Sequence, residues 1–270
     1  MSLSLPMPEF SQASALSSAP SPMRRHRFVQ AACLFSAVAH VAATLICVYT
    51  FKEGNFLQFS PVKLMQFVPE HIWLWRSSCL LVMLSSVSTL VFILAMREVL
   101  EEKYRFLVGI AVCFSLIACS QDLAAIARMM VLFSDVCLQG VLSGSLANVR
   151  ADYAQSGWFI LNESITQSFL LASFLYGMGG LCIALCLTRT KILESRLAFA
   201  HLPVWLVMIA SSVTTFFGLL PASVVLLFLA NLGISLISAF SGVATDAVLK
   251  SPLARAPGEV ATDLDNSGFF

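Results

Sequence analysis

Six apolar runs, each long enough to cross a bilayer, constrain the fold of this chain more than any other feature of the sequence. They lie near residues 28–51, 74–96, 106–132, 160–188, 201–219 and 222–247. A helix of about 20 apolar residues spans a bilayer, and a helix leaves few backbone polar groups unpaired in lipid. The sequence therefore predicts an all-α, polytopic integral membrane protein with a six-helix transmembrane bundle over residues 28–247.

The last two runs form one nearly continuous apolar block, which is too long for a single helix. The segment "FGLLPAS" at 217–223 divides this block. Gly218 is suited to the end of one helix, and Pro221 is suited to the first turn of the next. We therefore expect two antiparallel helices joined by a tight turn.

Small residues are concentrated in the fourth and sixth runs. Gly177, Gly179 and Gly180 lie in the fourth run. The sixth run contains Ala230, Gly233, Ser235, Ser238, Ala239, Ser241 and Gly242. Small side chains allow helix backbones to approach one another closely in lipid. This pattern predicts that both helices pack tightly against their neighbours.

The overall composition agrees with lipid as the solvent of this chain. Of the 270 residues, 58% are hydrophobic and only 11% are charged, whereas about 25% of the residues in a soluble domain are charged. The net charge is +1, and the scattered basic residues match no nucleic-acid-binding pattern. The expected partners are therefore the lipid bilayer and either a membrane protein or a small-molecule ligand, and not nucleic acid.

Both ends of the chain have the composition of disordered tails. Residues 1–27 are rich in Ser, Pro and Ala and end in the basic sequence "RRHR", and residues 248–270 combine prolines with acidic residues. The sequence predicts that both are disordered. A cleaved signal peptide beginning at "MRRHRF" is an open alternative. The apolar run continues to Phe51, which is longer than the usual apolar region of a signal peptide and favours a retained helix.

Lys and Arg residues are distributed unevenly between the segments that connect the runs. With a cytoplasmic N-terminus and six runs, eleven lie on the cytoplasmic side: Arg24, Arg25, Arg27, Arg97, Lys103, Arg105, Arg189, Lys191, Arg196, Lys250 and Arg255. Five lie on the outer side: Lys52, Lys63, Arg76, Arg128 and Arg150. Because basic residues accumulate in cytoplasmic loops, the sequence predicts that both termini are cytoplasmic and that the protein resides in the cell (plasma) membrane.

Three polar residues interrupt the third run: Gln121, Asp122 and Arg128. At 1.5 Å per residue, Asp122 lies about 24 Å above Phe106, or about 6 Å below the outer edge of the hydrocarbon. Arg128 lies near that edge, where its long side chain can reach water. Asp122 and Arg128 are six residues apart, so their side chains point about 120° away from each other around the helix axis. Gln121 and Arg128 are seven residues apart and share a helix face within about 20°. Asp122 therefore requires a partner from another helix, a water-filled cavity or a proton.

Arg76, at the start of the second run, is the predicted partner of Asp122, because their depths differ by about 6 Å. Glu163 and Gln167, at the start of the fourth run, are four residues apart and share a helix face. The sequence thus predicts a polar cluster in the outer third of the bundle: Arg76, Gln121, Asp122, Arg128, Glu163 and Gln167. Two interpretations remain open, a polar cavity open to the outside and a structural network of ion pairs.

Motifs for catalysis, metal binding and cofactors are absent from the sequence. It contains no GxxxxGK[ST], HExxH or GxSxG pattern and no CxxC pair. The eight cysteines lie almost entirely in apolar runs, as is typical of packing residues. Two polar residues at greater depth, His40 and Asn231, are predicted to make hydrogen bonds between helices. No metal site or cofactor is expected, and the sequence argues against an enzyme without deciding the matter.

The favoured function is a non-catalytic membrane module, namely a sensor, an assembly factor or an accessory subunit. The alternative is a transporter-like protein that binds a small molecule or a lipid. Its outward-facing pocket would be lined by Asp122, Gln121, Arg76 and Gln167.

Overall fold

A computed structural model describes residues 22–54, 67–100, 102–137, 147–190 and 193–250, and this part of the chain is all-helical. The long helices are α1 (Pro22–Gly54), α2 (Ile72–Val99), α3 (Arg105–Arg128), α4 (Ala147–Thr188), α5 (Ser195–Phe216) and α6 (Leu220–Lys250). Six helical stretches in the described residues are long and apolar enough to cross a membrane. The predicted fold class is confirmed at this level.

The helix ends differ from the predicted boundaries at several positions. Helix α1 begins at Pro22, inside the predicted disordered tail, and proline is favoured in the first turn of a helix. Helix α5 begins at Ser195, six residues before the predicted start. Its first turn includes the exposed Arg196, which the apolar pattern did not count as helical. Of the predicted tails, residues 1–21 and 251–270 lie outside the described residues, whereas residues 248–250 belong to the end of α6.

The third apolar helix is longer than the sequence suggested and is not uniformly α-helical. A 3-10 turn, Glu102–Tyr104, precedes α3, and a π-helical segment, Met129–Phe133, follows it without a break. The whole apolar helical stretch extends from Glu102 to Cys137. Asp122 therefore lies near the middle of this stretch.

The six helices form a closed ring in chain order. Each long helix packs against the next along the chain, and α6 packs against α1. Helices α2 and α4 also touch across the ring. Residues from α1 to α6 therefore face a common centre.

Helix α5 ends at a left-handed glycine, as predicted. Gly218 has φ of +73°, a conformation that glycine adopts without steric cost. The N–H of Gly218 donates to the carbonyl of Thr215, and the N–H of Leu219 donates to the carbonyl of Thr214. This pair of hydrogen bonds satisfies the last carbonyls of α5 and turns the chain into α6.

The glycines of α4 lie where neighbouring helices approach most closely. A Cβ atom added at Gly180 would overlap the indole ring of Trp205, and one at Gly177 would overlap Ile209, both on α5. In α6, a Cβ atom added at Gly233 would lie 2.9 Å from a methyl group of Val204. These contacts confirm the predicted close packing of α4 and α6.

Candidate functional site

Asp122 is buried at the point where α2, α3 and α4 meet, with 9% of its surface exposed. The hydroxyl of Ser86 on α2 donates a 2.7 Å hydrogen bond to Oδ2 of Asp122. The hydroxyl of Tyr176 on α4 donates a 3.1 Å hydrogen bond to the backbone carbonyl of Ser86. A single serine thus joins three helices, and the carboxyl group of Asp122 is held by a neutral hydroxyl.

The predicted pair of Asp122 and Arg76 is not formed in the described part of the chain. Arg76 lies at the beginning of α2 and is exposed. Ser86, which bonds Asp122, is ten residues further along the same helix, or about 15 Å along its axis. Depth counted from an assumed start at Phe106 did not identify the partner of Asp122, because its contact with Ser86 depends on how α2 and α3 pack against each other. The level of Asp122 therefore corresponds to the middle of α2.

Hydroxyl-bearing residues of α2 are the part of this site that sequence reasoning missed. The segment "SSVST" at 85–89 places four of them in five positions, and all four are buried. Ser86 faces α3, whereas Ser88 and Thr89 approach His40 of α1. Ser and Thr side chains within a helix commonly bond the backbone of their own helix, and such bonds do not mark a site. Their concentration near the middle of an apolar run was the available signal.

His40 forms a second buried polar centre, between α1 and α2. Its Nδ1 lies 2.8 Å from the carbonyl of Ser36, and its Nε2 lies 3.1 Å from Oγ1 of Thr89. Because a carbonyl only accepts, Nδ1 donates to Ser36, and the hydroxyl of Thr89 lies 3.1 Å from both Nε2 of His40 and the carbonyl of Ser85. The interhelical bond predicted for His40 is confirmed. Asn231 instead donates to the carbonyl of Leu227 in its own helix.

The hydroxyl of Ser36 extends the polar centre at His40 to α6. Its Oγ lies 3.1 Å from Oγ of Ser238. Ser235, one turn earlier on α6, donates a 2.9 Å hydrogen bond to the carbonyl of Ala37. Nearer the other end of α6, Nε2 of His201 lies 3.1 Å from Oγ of Ser241. Contacts between neighbouring helices are therefore reinforced by hydrogen bonds at several levels.

The other predicted cluster residues lie on α3 and α4. Glu163 and Gln167 are both exposed on α4, and Nε2 of Gln167 donates a 2.9 Å hydrogen bond to Oε1 of Glu163, which confirms that they share a face. Gln121 is half-buried beside Asp122. Arg128 contacts α4 through two serines. Arg128 therefore lies against the part of α4 that carries Glu163 and Gln167, and among the described residues no hydrogen bond joins these three residues to Arg76 or Asp122.

Arg128 lies at the junction between α3 and the π-helical segment. Its Nη1 donates to Oγ of Ser164 at 3.2 Å and to Oγ of Ser168 at 3.1 Å. The next residue, Met129, accepts a 3.2 Å hydrogen bond at its carbonyl from the indole N–H of Trp75. Neighbouring helices therefore hold both residues of the junction.

The comparisons with known proteins identify no relative of this chain. No family model matches it, and neither a curated protein nor a solved structure matches it. Among the residues that the structure describes, no three His, Cys, Asp or Glu side chains are grouped as metal ligands would be. All eight cysteines are free thiols. A function must therefore be inferred from the geometry of the buried polar residues.

Proposed function

We propose that this chain is a multi-pass integral membrane protein of the cell membrane, with both termini cytoplasmic. We further propose that it acts as a non-catalytic membrane module, that is, a sensor, an assembly factor or an accessory subunit. The observation that carries this proposal is the hydrogen bond between Ser86 and Asp122 at the meeting point of α2, α3 and α4.

The surface of the bundle supports its placement in lipid. Each of the six long helices exposes large apolar side chains, for example Leu45, Leu80, Leu116, Leu171, Leu206 and Leu236. A soluble protein of this size rarely leaves contiguous apolar surface of such extent in water. In lipid the same side chains face a solvent as apolar as themselves.

The distribution of basic residues supports the orientation, and cysteine labelling in intact cells tests it. Glu194 is exposed in the connection between α4 and α5, and Asp135 is exposed beyond the π-helical segment. A membrane-impermeant maleimide should label an Asp135→Cys variant from outside and should leave Glu194→Cys unlabelled until the cells are permeabilised. The unmodified protein is the control for its native cysteines. The reverse pattern would contradict the proposed topology.

Hydrogen bonds between helices support a module with one defined packing. In lipid, where apolar contacts alone distinguish poorly between arrangements, hydrogen bonds and close packing of small residues select one. In this chain they link α1 to α2, α2 to α3, α2 to α4, α3 to α4, α5 to α6 and α6 to α1. Their donors and acceptors are used between helices, as a structural role requires.

A complementation experiment separates this proposal from the transporter-like alternative. Strains that lack the gene are complemented with Asp122→Asn or Asp122→Ala, and the stability of each purified variant is measured in detergent. A structural role predicts that the phenotype fails only where the stability falls. Loss of the phenotype at unchanged stability would contradict it and would favour a binding site at Asp122.

One observation favours the alternative as a second candidate. Gln121 is half-buried beside Asp122, and no hydrogen bond of its amide occurs among the described residues. An unused amide next to a buried carboxyl group is chemistry that a polar ligand could use. Arg76 and Gln167 lie elsewhere, so such a pocket would have to be built around Gln121 and Asp122 without them.

A further inference from the structure

The hydrogen bonds that Arg128 makes within the described residues are to side-chain hydroxyls of a different helix. It is half-buried at the end of α3. Its Nη1 reaches Oγ of Ser164 and Oγ of Ser168, which are one turn apart on the same face of α4. Hydroxyls on a neighbouring helix therefore hold the guanidinium in a defined position.

No protein anion in the described residues balances the charge of Arg128. Glu163 precedes Ser164 in sequence, but its side chain is exposed and accepts a hydrogen bond from Gln167. Asp122 bonds Ser86 instead. In the described part of the chain, Nε and Nη2 of Arg128 make no hydrogen bond. A partly desolvated cation with free donors is best satisfied by an oxyanion.

Guanidinium and hydroxyl groups together are well suited to bind phosphate. The planar fork of arginine donates two parallel hydrogen bonds to phosphate oxygens. The two serine hydroxyls can donate to the same group once an oxyanion replaces them as the partner of Arg128. The junction with the π-helical segment follows at once, and such segments in α-helices are frequent at functional sites.

The level of Arg128 matches that of lipid phosphates if the bundle spans a membrane as proposed above. Met129, the residue after Arg128, accepts a hydrogen bond at its carbonyl from the indole N–H of Trp75, and tryptophan is enriched at the membrane–water interface, at the level of the lipid headgroups. The surface beside it is apolar: Val131 and Leu132 on the π-helical segment and Ile160 and Leu171 on α4 are exposed. This surface suits acyl chains and not a free aqueous anion.

We propose that Arg128, Ser164 and Ser168 form a binding site for a phosphate group, and that an outer-leaflet phospholipid supplies it. The inference rests on the proposed membrane placement.

Lipid binding to the detergent-purified full-length protein tests the proposal by native mass spectrometry. The probes are dioleoyl phosphatidylglycerol, dioleoylglycerol, which has the same chains without phosphate, and inorganic phosphate. Phosphatidylglycerol should bind the wild type, and Arg128→Gln should weaken it by roughly tenfold or more, since a charge-assisted hydrogen bond is lost. Arg128→Lys should be intermediate, because it keeps the charge without the fork.

Arg76→Gln is the matched control, since Arg76 is exposed at the same end of the bundle. This variant should bind phosphatidylglycerol as the wild type does. Equal binding to wild type and Arg128→Gln would overturn the proposal. Equal binding of dioleoylglycerol and phosphatidylglycerol to the wild type would also overturn it. Competition by inorganic phosphate at matched concentration would overturn the assignment to lipid while supporting a phosphate site. If Arg128→Gln does not fold, the Ser164→Ala/Ser168→Ala double variant must show the same loss for the site to stand.

Alkaline extraction of membranes separates this inference from the proposed function. The wild type and Arg128→Gln should both remain in the membrane pellet. Release of the wild type would contradict the membrane placement itself, whereas retention of both with unchanged lipid binding would contradict only the phosphate site.

Discussion

Ser86 donates its hydroxyl proton to Asp122 across the contact between α2 and α3, over a distance of 2.7 Å. The same hydroxyl oxygen lies 3.2 Å from the carbonyl of Val82 in its own helix. A hydroxyl has one proton and can also accept. Ser86 can therefore bond a donor or an acceptor at position 122, provided that the side chain there is polar.

Replacement of Asp122 should depend on whether the new side chain can reach Ser86. In Asp122→Asn, the amide can donate to Oγ of Ser86 while Ser86 donates to the carbonyl of Val82. We expect the free energy of unfolding to change by less than about 1 kcal/mol. Asp122→Ala removes the hydrogen-bond partner of Ser86 and leaves a cavity. This variant should lower the free energy of unfolding by about 1–2 kcal/mol. Reversible unfolding in mixed micelles measures both, and equal losses would contradict this account.

The two residues should also be energetically coupled. A double-mutant cycle of Ser86→Ala and Asp122→Ala should show an interaction energy of about 0.6–1.7 kcal/mol, the range for hydrogen bonds between membrane helices. The control cycle pairs Asp122→Ala with Arg76→Gln. It should be additive within about 0.5 kcal/mol, because the two residues are not in contact. Strong coupling to Arg76 would restore the pairing predicted from the sequence.

Gly180 should not tolerate even one added methyl group. Gly180→Ala would drive its Cβ atom into the indole of Trp205, a buried ring in a packed interface. We expect a loss of about 1–3 kcal/mol in the free energy of unfolding. Gly109→Ala on α3 is the matched control, since no atom lies within 4 Å of its added Cβ. That variant should be neutral or more stable by up to about 1 kcal/mol, and a similar loss in both would refute the packing argument.

His40 should contribute stability through its buried hydrogen bonds. His40→Leu keeps most of the side-chain volume but removes the bonds to Ser36 and Thr89. Loss of a partner for buried polar groups costs about 1–3 kcal/mol. His71→Leu, at an exposed position before α2, should change the free energy of unfolding by less than about 0.5 kcal/mol. Thermal unfolding in detergent compares the two, and a neutral His40→Leu would show that these bonds add nothing to stability.

The sequence by itself determined the number of long apolar helices, their approximate positions and the turn between α5 and α6. These features depend on local properties. The length of an apolar run decides whether a helix can cross a bilayer, and the lack of a Cβ atom lets Gly218 adopt φ of +73°. The glycines of α4 likewise predicted that this helix packs closely against a neighbour. They did not predict that Trp205 of α5 is the residue that Gly180 contacts.

Only the tertiary structure decided which residues meet at the centre of the bundle. The partner of Asp122 depends on the axial register of α2 against α3, and a shift of ten residues separates Arg76 from Ser86. That register is set by side-chain packing over the whole interface between the two helices. Sequence depth, counted from an assumed membrane edge, carries no information about this packing. The sequence assigned Asp122 to an ion pair with Arg76 at the start of α2. In the structure its carboxyl group instead accepts a hydrogen bond from Ser86, near the middle of α2.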